Sequence, residues 1–279
     1  MLLLSLACTG NDPEPRENPV RFSDVTFGEA AGRPVQPMGP DQWRPSEEAI
    51  PLVILLHGFG ATPEAQDLLL KFSPQVDTER FVLLIPQGTE NPDGTFFWNA
   101  TDVCCDFYDS GVDDVAYLTS LIDEAEAAWG EGLSGVYITG HSNGGYMSYR
   151  MACDAPERLD GIAPLAGSTW NDPGDCAVGD PVPVLHIACT EDDSVLYDGS
   201  DSYPGAVVAA DRWAERAGCT GTEDGGALDL IDSHAGDETT VVDYTGCTHP
   251  VSLWTMEGVG HVPIVNERYA QEMLAWFTQ

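Results

Sequence analysis

Continuous apolar runs alternate with amphipathic stretches along most of this chain, and no other feature restricts its fold as strongly. The segments PLVILLHG at 51–58 and RFVLLIPQG at 80–88 are typical of strands buried on both faces. Between them, TPEAQDLLLKF places Thr62 as a helix cap and Pro63 in the first helical position. Strands that alternate with helices predict a doubly wound, mostly parallel α/β sheet.

The same rhythm continues to the end of the chain, with two interruptions. The further predicted strands are GVYITG, GIAPLAG, PVPVLHIAC and PVSLWTMEG, and the further helices include GVDDVAYLTSLIDEAEAAWG and VPIVNERYAQEMLAWF. Residues 20–36 show only a weak pattern for one or two edge strands. The stretch 218–246 is acidic and glycine-rich, and we interpret it as an irregular excursion. The pattern predicts a single domain over residues 20–279.

The charge of the chain is strongly unbalanced. Forty-six Asp and Glu residues against eleven Lys and Arg give a formal net charge of −35, while 43% of the residues are hydrophobic and suffice for a sizeable core. A field of this sign repels nucleic acid phosphates and anionic lipid head groups, so neither is an expected partner. It favours a neutral substrate.

The first residues, MLLLSLAC, form an apolar run that is too short to span a bilayer. They resemble the end of a bacterial lipoprotein signal, in which Cys8 is acylated and the polar stretch after it is a tether. Residues 1–19 are therefore predicted to be a signal and tether segment of an exported, extracellular or cell-surface protein. A lipid on Cys8 is its only expected link to a membrane; the alternative is an ordinary frayed N-terminus.

Seven further cysteines are distributed through the predicted domain: Cys104, Cys105, Cys153, Cys176, Cys189, Cys219 and Cys247. No pair has the C-x-x-C spacing and no histidine lies at zinc-like spacing from them, so no metal site is expected. In an exported protein they predict disulfides, with Cys219–Cys247 and Cys153–Cys176 as the favoured pairs. At most one of the two adjacent cysteines is expected in a long-range bond, and Cys189 is expected to be a buried thiol.

The segment GHSNG at 140–144 has a glycine on each side of a serine and lies between a predicted strand and a predicted helix. In that setting G-x-S-x-G is typical of the nucleophile elbow of α/β-hydrolases. Gly140 and Gly144 allow the tight turn to close, and Ser142 is the predicted nucleophile. The alternative is a structural loop serine.

A serine nucleophile needs a base and an orienting carboxylate, and in this fold both come later in the chain. Of the six histidines, His261 follows the last strand in EGVGHVP and is the predicted base. Asp192 stands just beyond a strand end and is the predicted acid. Asp193 is the runner-up, while Asp198 is too far along the loop.

The tetrahedral intermediate of ester hydrolysis needs N–H donors for its oxyanion. The backbone N–H of Asn143, directly after the nucleophile, is one predicted donor. The HGFG segment at a strand end supplies the other, and Phe59 is the favoured residue.

Several motifs occur together in one order: PLVILLHGFG, FFWNATDVCC, GVDDVAYLTSLID, VYITGHSNGGYMSYRMACDAPERLDGIAPLAGS, the acid segment PVPVLHIACTEDD and the closing EGVGH. Over residues 33–278 the chain resembles the polyhydroxybutyrate depolymerase and feruloyl esterase-like family of secreted bacterial esterases. The resemblance implies one α/β-hydrolase domain without a large lid, which acts on carboxylic esters and needs no cofactor. It maps the family triad onto Ser142, Asp192 and His261, and the oxyanion donors onto Phe59 and Asn143.

The resemblance also bears on the substrate pocket and on the acid loop. Trp98 in FFWNA is expected to form an aromatic wall for an acyl or phenolic group, with core packing as the alternative, and Trp170 is a weaker candidate. Cys189 stands where relatives carry glycine. Feruloylated polysaccharide, polyhydroxyalkanoate oligomers and acetyl esters all remain open as substrates. The competing functions are a peptidase on the same fold and a non-catalytic surface lipoprotein.

Overall fold

The computed structural model describes residues 17–176 and 179–279. Its centre is an eight-stranded sheet with a small two-stranded hairpin beside it. The strands are β1 Ile50–Leu56, β2 Val82–Leu84, the hairpin strands β3 Thr89–Glu90 and β4 Phe96–Phe97, then β5 Leu133–His141, β6 Gly161–Leu165, β7 Val184–Cys189, β8 Gly221–Leu228, β9 Thr239–Thr245 and β10 Val251–Met256. In space the main sheet runs β2-β1-β5-β6-β7-β10-β9-β8.

Helices cover both faces of this sheet. They are α1 Pro63–Leu70, α2 Val76–Glu79, α3 Asp114–Trp129, α4 Asn143–Asp154, α5 Ala206–Arg216 and α6 Arg268–Phe277. Alternate residues of β1 belong to opposite cores: Leu52 and Ile54 pack with α3, α4 and α5, whereas Val53 and Leu55 pack with α1 and α6. Apolar residues on both faces are what a doubly wound sheet requires, and the predicted fold class is confirmed.

Six neighbouring strands of the main sheet are parallel, namely β2, β1, β5, β6, β7 and β10, so their carboxyl ends share one edge of the sheet. Thr62 caps α1 as predicted, since its hydroxyl accepts a hydrogen bond from the Ala65 N–H at 3.3 Å. Asp113 caps α3 in the same way through the Ala116 N–H at 2.9 Å. Local sequence signals thus set where these helices begin.

The stretch 218–246 is ordered, and the prediction of an irregular excursion was wrong. It forms β8 and β9, an antiparallel pair that extends the sheet beyond β10. Seven of the eight residues of β8 are exposed, so this strand shows no alternation of apolar and polar residues and is held by backbone pairing. At the other end of the sheet, residues 20–36 contribute only the isolated bridge between Phe27 and Val35.

Three disulfides occur among the described residues. The bonds Cys153–Cys176 and Cys219–Cys247 are as predicted. Cys104 and Cys105 are bonded to each other, which agrees with the expectation that at most one of them joins a long-range bond. The alternative of an adjacent pair was not considered from the sequence.

Cys189 is a buried thiol as predicted, and burial raises its pKa to about 12. Within residues 17–176 and 179–279, no helix combines the length and the apolar character needed to cross a bilayer. Cys8 lies outside the described residues, and its lipidation stays a prediction.

Candidate active site

Ser142 lies at the junction of β5 and α4, in a backbone conformation that side-chain-bearing residues rarely adopt. Its φ is 56° and its ψ is −117°, a strained arrangement that persists where the surrounding structure enforces it. The N–H of Ser142 donates to the Leu165 carbonyl at 2.8 Å. A Cβ atom on Gly144 would stand 2.4 Å from the Leu56 carbonyl oxygen, and one on Gly140 would stand 2.5 Å from Gly144. Both glycines are therefore required for the turn to close.

His261 joins the serine to a carboxylate. Its Nε2 is 2.9 Å from Ser142 Oγ, across a separation of 119 residues, and its Nδ1 is 2.8 Å from Asp192 Oδ2. The three side chains come from the loops after β5, β7 and β10, which all open at the carboxyl edge of the sheet. The Asp192 side chain is almost fully buried, while the imidazole of His261 remains 17% exposed. The arrangement is that of a serine, a base and its orienting acid.

The surroundings of Asp192 explain why this carboxylate, among its neighbours, faces the histidine. Its second oxygen accepts the N–H groups of Ser194 and Val195 at 2.8 and 2.7 Å, which fixes the carboxylate plane. Asp193 and Asp198 are exposed, and the Asp193 carboxylate accepts a bond from the Ser194 hydroxyl instead.

Two backbone N–H groups were predicted to bind the oxyanion, that of Phe59 in the loop after β1 and that of Asn143 at the start of α4. Neither the Phe59 N–H nor the Asn143 N–H has a hydrogen-bond partner within the described part of the chain. The Asn143 N–H is at the start of α4, where the helix dipole favours negative charge. Free N–H groups in such positions are suited to an oxyanion.

Two buried histidines near the triad escaped the sequence reasoning. His141 Nε2 lies 2.7 Å from the backbone carbonyl of His261 and donates to it, so the residue beside the serine anchors the loop that carries the predicted base. Burial lowers the pKa of His141 to about 4, and the same effect lowers the pKa of His57 to about 4. Both rings are neutral near pH 7. His57 belongs to the HG motif and His141 to the GHS motif, but neither motif indicates what the histidine side chain contacts.

The two tryptophans predicted to line the substrate pocket do not do so. Trp98 is completely buried, and its indole N–H donates to the His57 carbonyl at 3.0 Å. Trp170 is 7% exposed and packs in the core on the side of the sheet that α3, α4 and α5 cover. Both side chains are buried in the core, so neither forms the predicted substrate wall; the sequence does not reveal the direction of a side chain.

Exposed apolar side chains occur in the loops that carry the triad and in the loop after β1. Phe59 is 42% exposed and packs edge-on against Phe107, which is 66% exposed, with 5.4 Å between ring centroids. Leu196 follows Asp192 in its loop, and Val262 directly follows His261; both are exposed. We call Phe59, Phe107, Leu196 and Val262 the apolar rim. Exposed apolar groups beside a reactive centre are typical of a binding surface for an apolar substrate.

Comparisons with known proteins show which proteins the chain resembles. Feruloyl esterase C of Emericella nidulans is 28% identical over 150 residues, which cover 53% of this chain and 50% of that protein. A bifunctional acetylxylan esterase/xylanase of Neocallimastix patriciarum is 25% identical over 182 residues, 65% of this chain and 25% of the relative. The chain thus spans about half or less of the length of these curated relatives. No family model matches the chain.

Solved structures show the fold independently of close sequence similarity. The acetyl xylan esterase from Aspergillus awamori has a TM-score of 0.64 at 15% identity and covers 89% of this chain and 95% of its own. Esterase PE8 has a TM-score of 0.55 at 18% identity, with coverages of 88% and 97%. The predicted resemblance to feruloyl esterase-like proteins is confirmed, while its polyhydroxybutyrate depolymerase part stays a prediction. The chain has the α/β-hydrolase fold, and the proteins similar to it in sequence include a feruloyl esterase and an acetylxylan esterase/xylanase.

Proposed function

We propose that this chain is an exported serine hydrolase of carboxylic esters that works through an acyl-enzyme. The observation that carries the proposal is the continuous hydrogen-bonded line from Ser142 Oγ through His261 to Asp192, with lengths of 2.9 and 2.8 Å. Esterases among the relatives support the same reaction class. Three disulfides support export, because such bonds persist in oxidising compartments.

The reaction follows from the geometry of these groups. His261 Nε2 takes the hydroxyl proton while Ser142 Oγ forms a bond to the ester carbonyl carbon, and the carbonyl oxygen becomes an oxyanion. The N–H groups of Phe59 and Asn143 donate to that oxygen. Collapse breaks the bond to the alkoxy group, which leaves as the alcohol with the proton from His261. Asp192 orients the ring and stabilises its charged form. Water then repeats the sequence on the acyl-serine and releases the acid.

The apolar rim supports an ester whose acyl group is aromatic or otherwise apolar. The ring of Phe59 belongs to a predicted oxyanion donor and packs against Phe107, so an ester whose carbonyl oxygen is bound at that donor lies near an aromatic pair. The net charge of −35 disfavours an anionic substrate and favours a neutral ester. A feruloyl ester fits both conditions, and acetylated xylan and hydroxybutyrate oligomers are the alternatives to be compared with it.

Hydrolysis of nitrophenyl acetate by the purified chain tests the proposal. Ser142→Ala and Asp192→Asn should each lower kcat by about three orders of magnitude or more, because triad members act as a unit. Asp193→Asn is the matched control, since it changes a neighbouring exposed carboxylate, and it should remain near wild type. Greater damage from Asp193→Asn would contradict the assignment of the acid. Cleavage of an amino-acid nitroanilide in preference to the ester would show a peptidase instead.

A second comparison tests the aromatic acyl group. Phe107→Ala should raise KM for methyl ferulate by about tenfold, because an aromatic contact is worth around 1 kcal/mol or more, and leave nitrophenyl acetate almost unchanged. Leu68→Ala is the matched control, because Leu68 is an exposed apolar residue of α1 outside the rim. Equal effects of both variants on methyl ferulate would contradict this role of the rim.

A further inference from the structure

His57 has a hydrogen-bond arrangement that fixes the position of its proton. The side chain is fully buried at the end of β1. Its Nε2 accepts the Gly88 N–H at 2.9 Å and lies 3.0 Å from the Gln87 amide nitrogen. A backbone N–H can only donate, so Nε2 carries no proton and Nδ1 does. Nδ1 in turn donates to the Gly58 carbonyl at 2.8 Å.

The Gly58 carbonyl and the Phe59 N–H are the two ends of one planar trans peptide. A bond that fixes the direction of the carbonyl therefore fixes the direction of the N–H, which points the opposite way. The preceding peptide is held as well, because the Gly58 N–H donates to Gln66 Oε1 at 3.1 Å. A hydrogen bond to the carbonyl also polarises the peptide and strengthens its N–H as a donor.

Trp98 connects the His57–Gly58 peptide to Asn143, the residue that carries the second free N–H. Its indole donates to the His57 carbonyl at 3.0 Å, and its backbone N–H and carbonyl both pair with the Asn143 side chain, at 2.7 and 2.9 Å. All of these groups are buried. The buried tryptophan thus sets the spacing between the loop that carries Phe59 and the start of α4.

We propose that His57 is a positioning residue of the oxyanion hole: its neutral ring aims the Phe59 N–H at the oxyanion, and Trp98 fixes the distance to the Asn143 N–H. The inference rests on the proposed ester hydrolysis. Because the Trp98 indole and the Gly88 N–H surround the ring, the structure excludes His57 itself from contact with substrate. Burial lowers the pKa of His57 to about 4, which keeps the ring in the required form in neutral solution.

Two substitutions test the two ring nitrogens of His57 separately. In His57→Asn the amide nitrogen replaces Nδ1 and retains a donor to the Gly58 carbonyl, but the acceptor for the Gly88 N–H is lost. In His57→Gln the amide oxygen replaces Nε2 and retains that acceptor, but the donor to Gly58 is lost. We expect His57→Gln to lower kcat for nitrophenyl acetate by about 10- to 100-fold with little change in KM, since a correctly placed oxyanion donor is worth about 100-fold or more. We expect His57→Asn to retain kcat within about fivefold, even where its melting temperature falls.

Binding of a trifluoromethyl ketone provides a readout that a purely structural role would leave unchanged. Its carbonyl accepts Ser142 Oγ, the serine proton passes to His261, and the resulting oxyanion needs the same N–H donors. Its affinity should fall in His57→Gln in proportion to kcat/KM and remain in His57→Asn. Equal losses in the two variants, or losses that follow melting temperature, would overturn the inference.

The controls distinguish this inference from the proposed function. A wild-type chain that hydrolyses no ester contradicts the proposed function, whereas an active wild type with an inactive Ser142→Ala and a fully active His57→Gln contradicts only the role of His57. If His57→Gln does not fold, Trp98→Phe carries the test, because it removes the indole N–H that holds the His57 carbonyl and keeps an aromatic ring in the same place. A lower kcat at unchanged KM supports the inference, and an unchanged kcat overturns it.

Discussion

Acid should destabilise this protein well before its carboxylates are titrated, because three histidines are buried as neutral rings. Burial lowers the pKa of His57, His141 and His186 to about 4 each, against 6.5 for an unperturbed histidine. A depressed folded-state pKa means that the unfolded chain binds more protons. The stabilising contribution is therefore complete above pH 6.5 and is lost progressively as the pH falls towards 4.

The size of the effect follows from these pKa values. Between pH 7 and 5, each buried histidine should remove about 2 kcal/mol from the free energy of unfolding, or about 6 kcal/mol for the three. That is comparable with the whole stability of an average domain, about 5–15 kcal/mol. Isolated Asp and Glu side chains titrate near pH 4, below this interval, whereas isolated histidine titrates within it, so we assign the change to the buried histidines.

Urea denaturation at the two pH values measures the loss. His186 is the residue to change, because it lies in β7, outside the triad, and its side chain pairs with Tyr149, whose hydroxyl is 2.7 Å from Nδ1. In His186→Gln the fall in unfolding free energy between pH 7 and 5 should shrink by about 2 kcal/mol. The fall is measured for each protein between the two pH values, so any difference in stability between the variant and wild type at pH 7 cancels. His249→Gln is the control, because His249 is not buried. An equal fall in wild type and His186→Gln would refute the reasoning.

Three other predictions concern stability. Raising sodium chloride from about 0.1 to 1 M should raise the melting temperature, because the negative charges of the protein repel one another less when the Debye length falls from about 10 to 3 Å. An equal rise in isotonic sucrose would indicate that exclusion of the solute from the protein surface, and not charge screening, is the cause. Replacing Cys219 and Cys247 together by serine should cost about 3.5 kcal/mol in urea unfolding, since the bond spans 28 residues, and an unchanged midpoint would contradict this. Gly144→Ala should abolish the folded elbow or lower the melting temperature strongly, because its Cβ would lie 2.4 Å from the Leu56 carbonyl oxygen, whereas Gly179→Ala, with open space around it, should be neutral.

The parallel part of the fold was predictable because buried strands and capped helices each have a local sequence signature. The strand β8 has none. Its residues, GTEDGGAL, combine glycines and acids that are rare in strands, and solvent on both faces removes the usual alternation. Only pairing with β9, which itself pairs with β10, makes this segment a strand, and that information is not local.

The candidate site, like the fold, was predictable only where a local sequence signal exists. The sequence predicted Ser142, His261 and Asp192, which the structure joins in one line of hydrogen bonds, because chain order and the strand–turn–helix setting restrict the choice. The direction of a side chain was not predictable. Trp98 points inward to the His57 carbonyl instead of towards substrate, since a buried indole N–H finds its partner where the backbone offers one.

The triad joins three loops that lie far apart in sequence, and this has a consequence for how the molecule acquires activity. Ser142 and His261 are separated by 119 residues, and the hydrogen bond between them requires β5, β6, β7 and β10 to have paired in order. Closing such long loops costs chain entropy before any contact repays it, so pairings of this kind form slowly. If the chain hydrolyses esters as proposed, burial of tryptophan can precede these pairings, whereas hydrolysis cannot. Recovery of ester hydrolysis during refolding would then report that these four strands have paired.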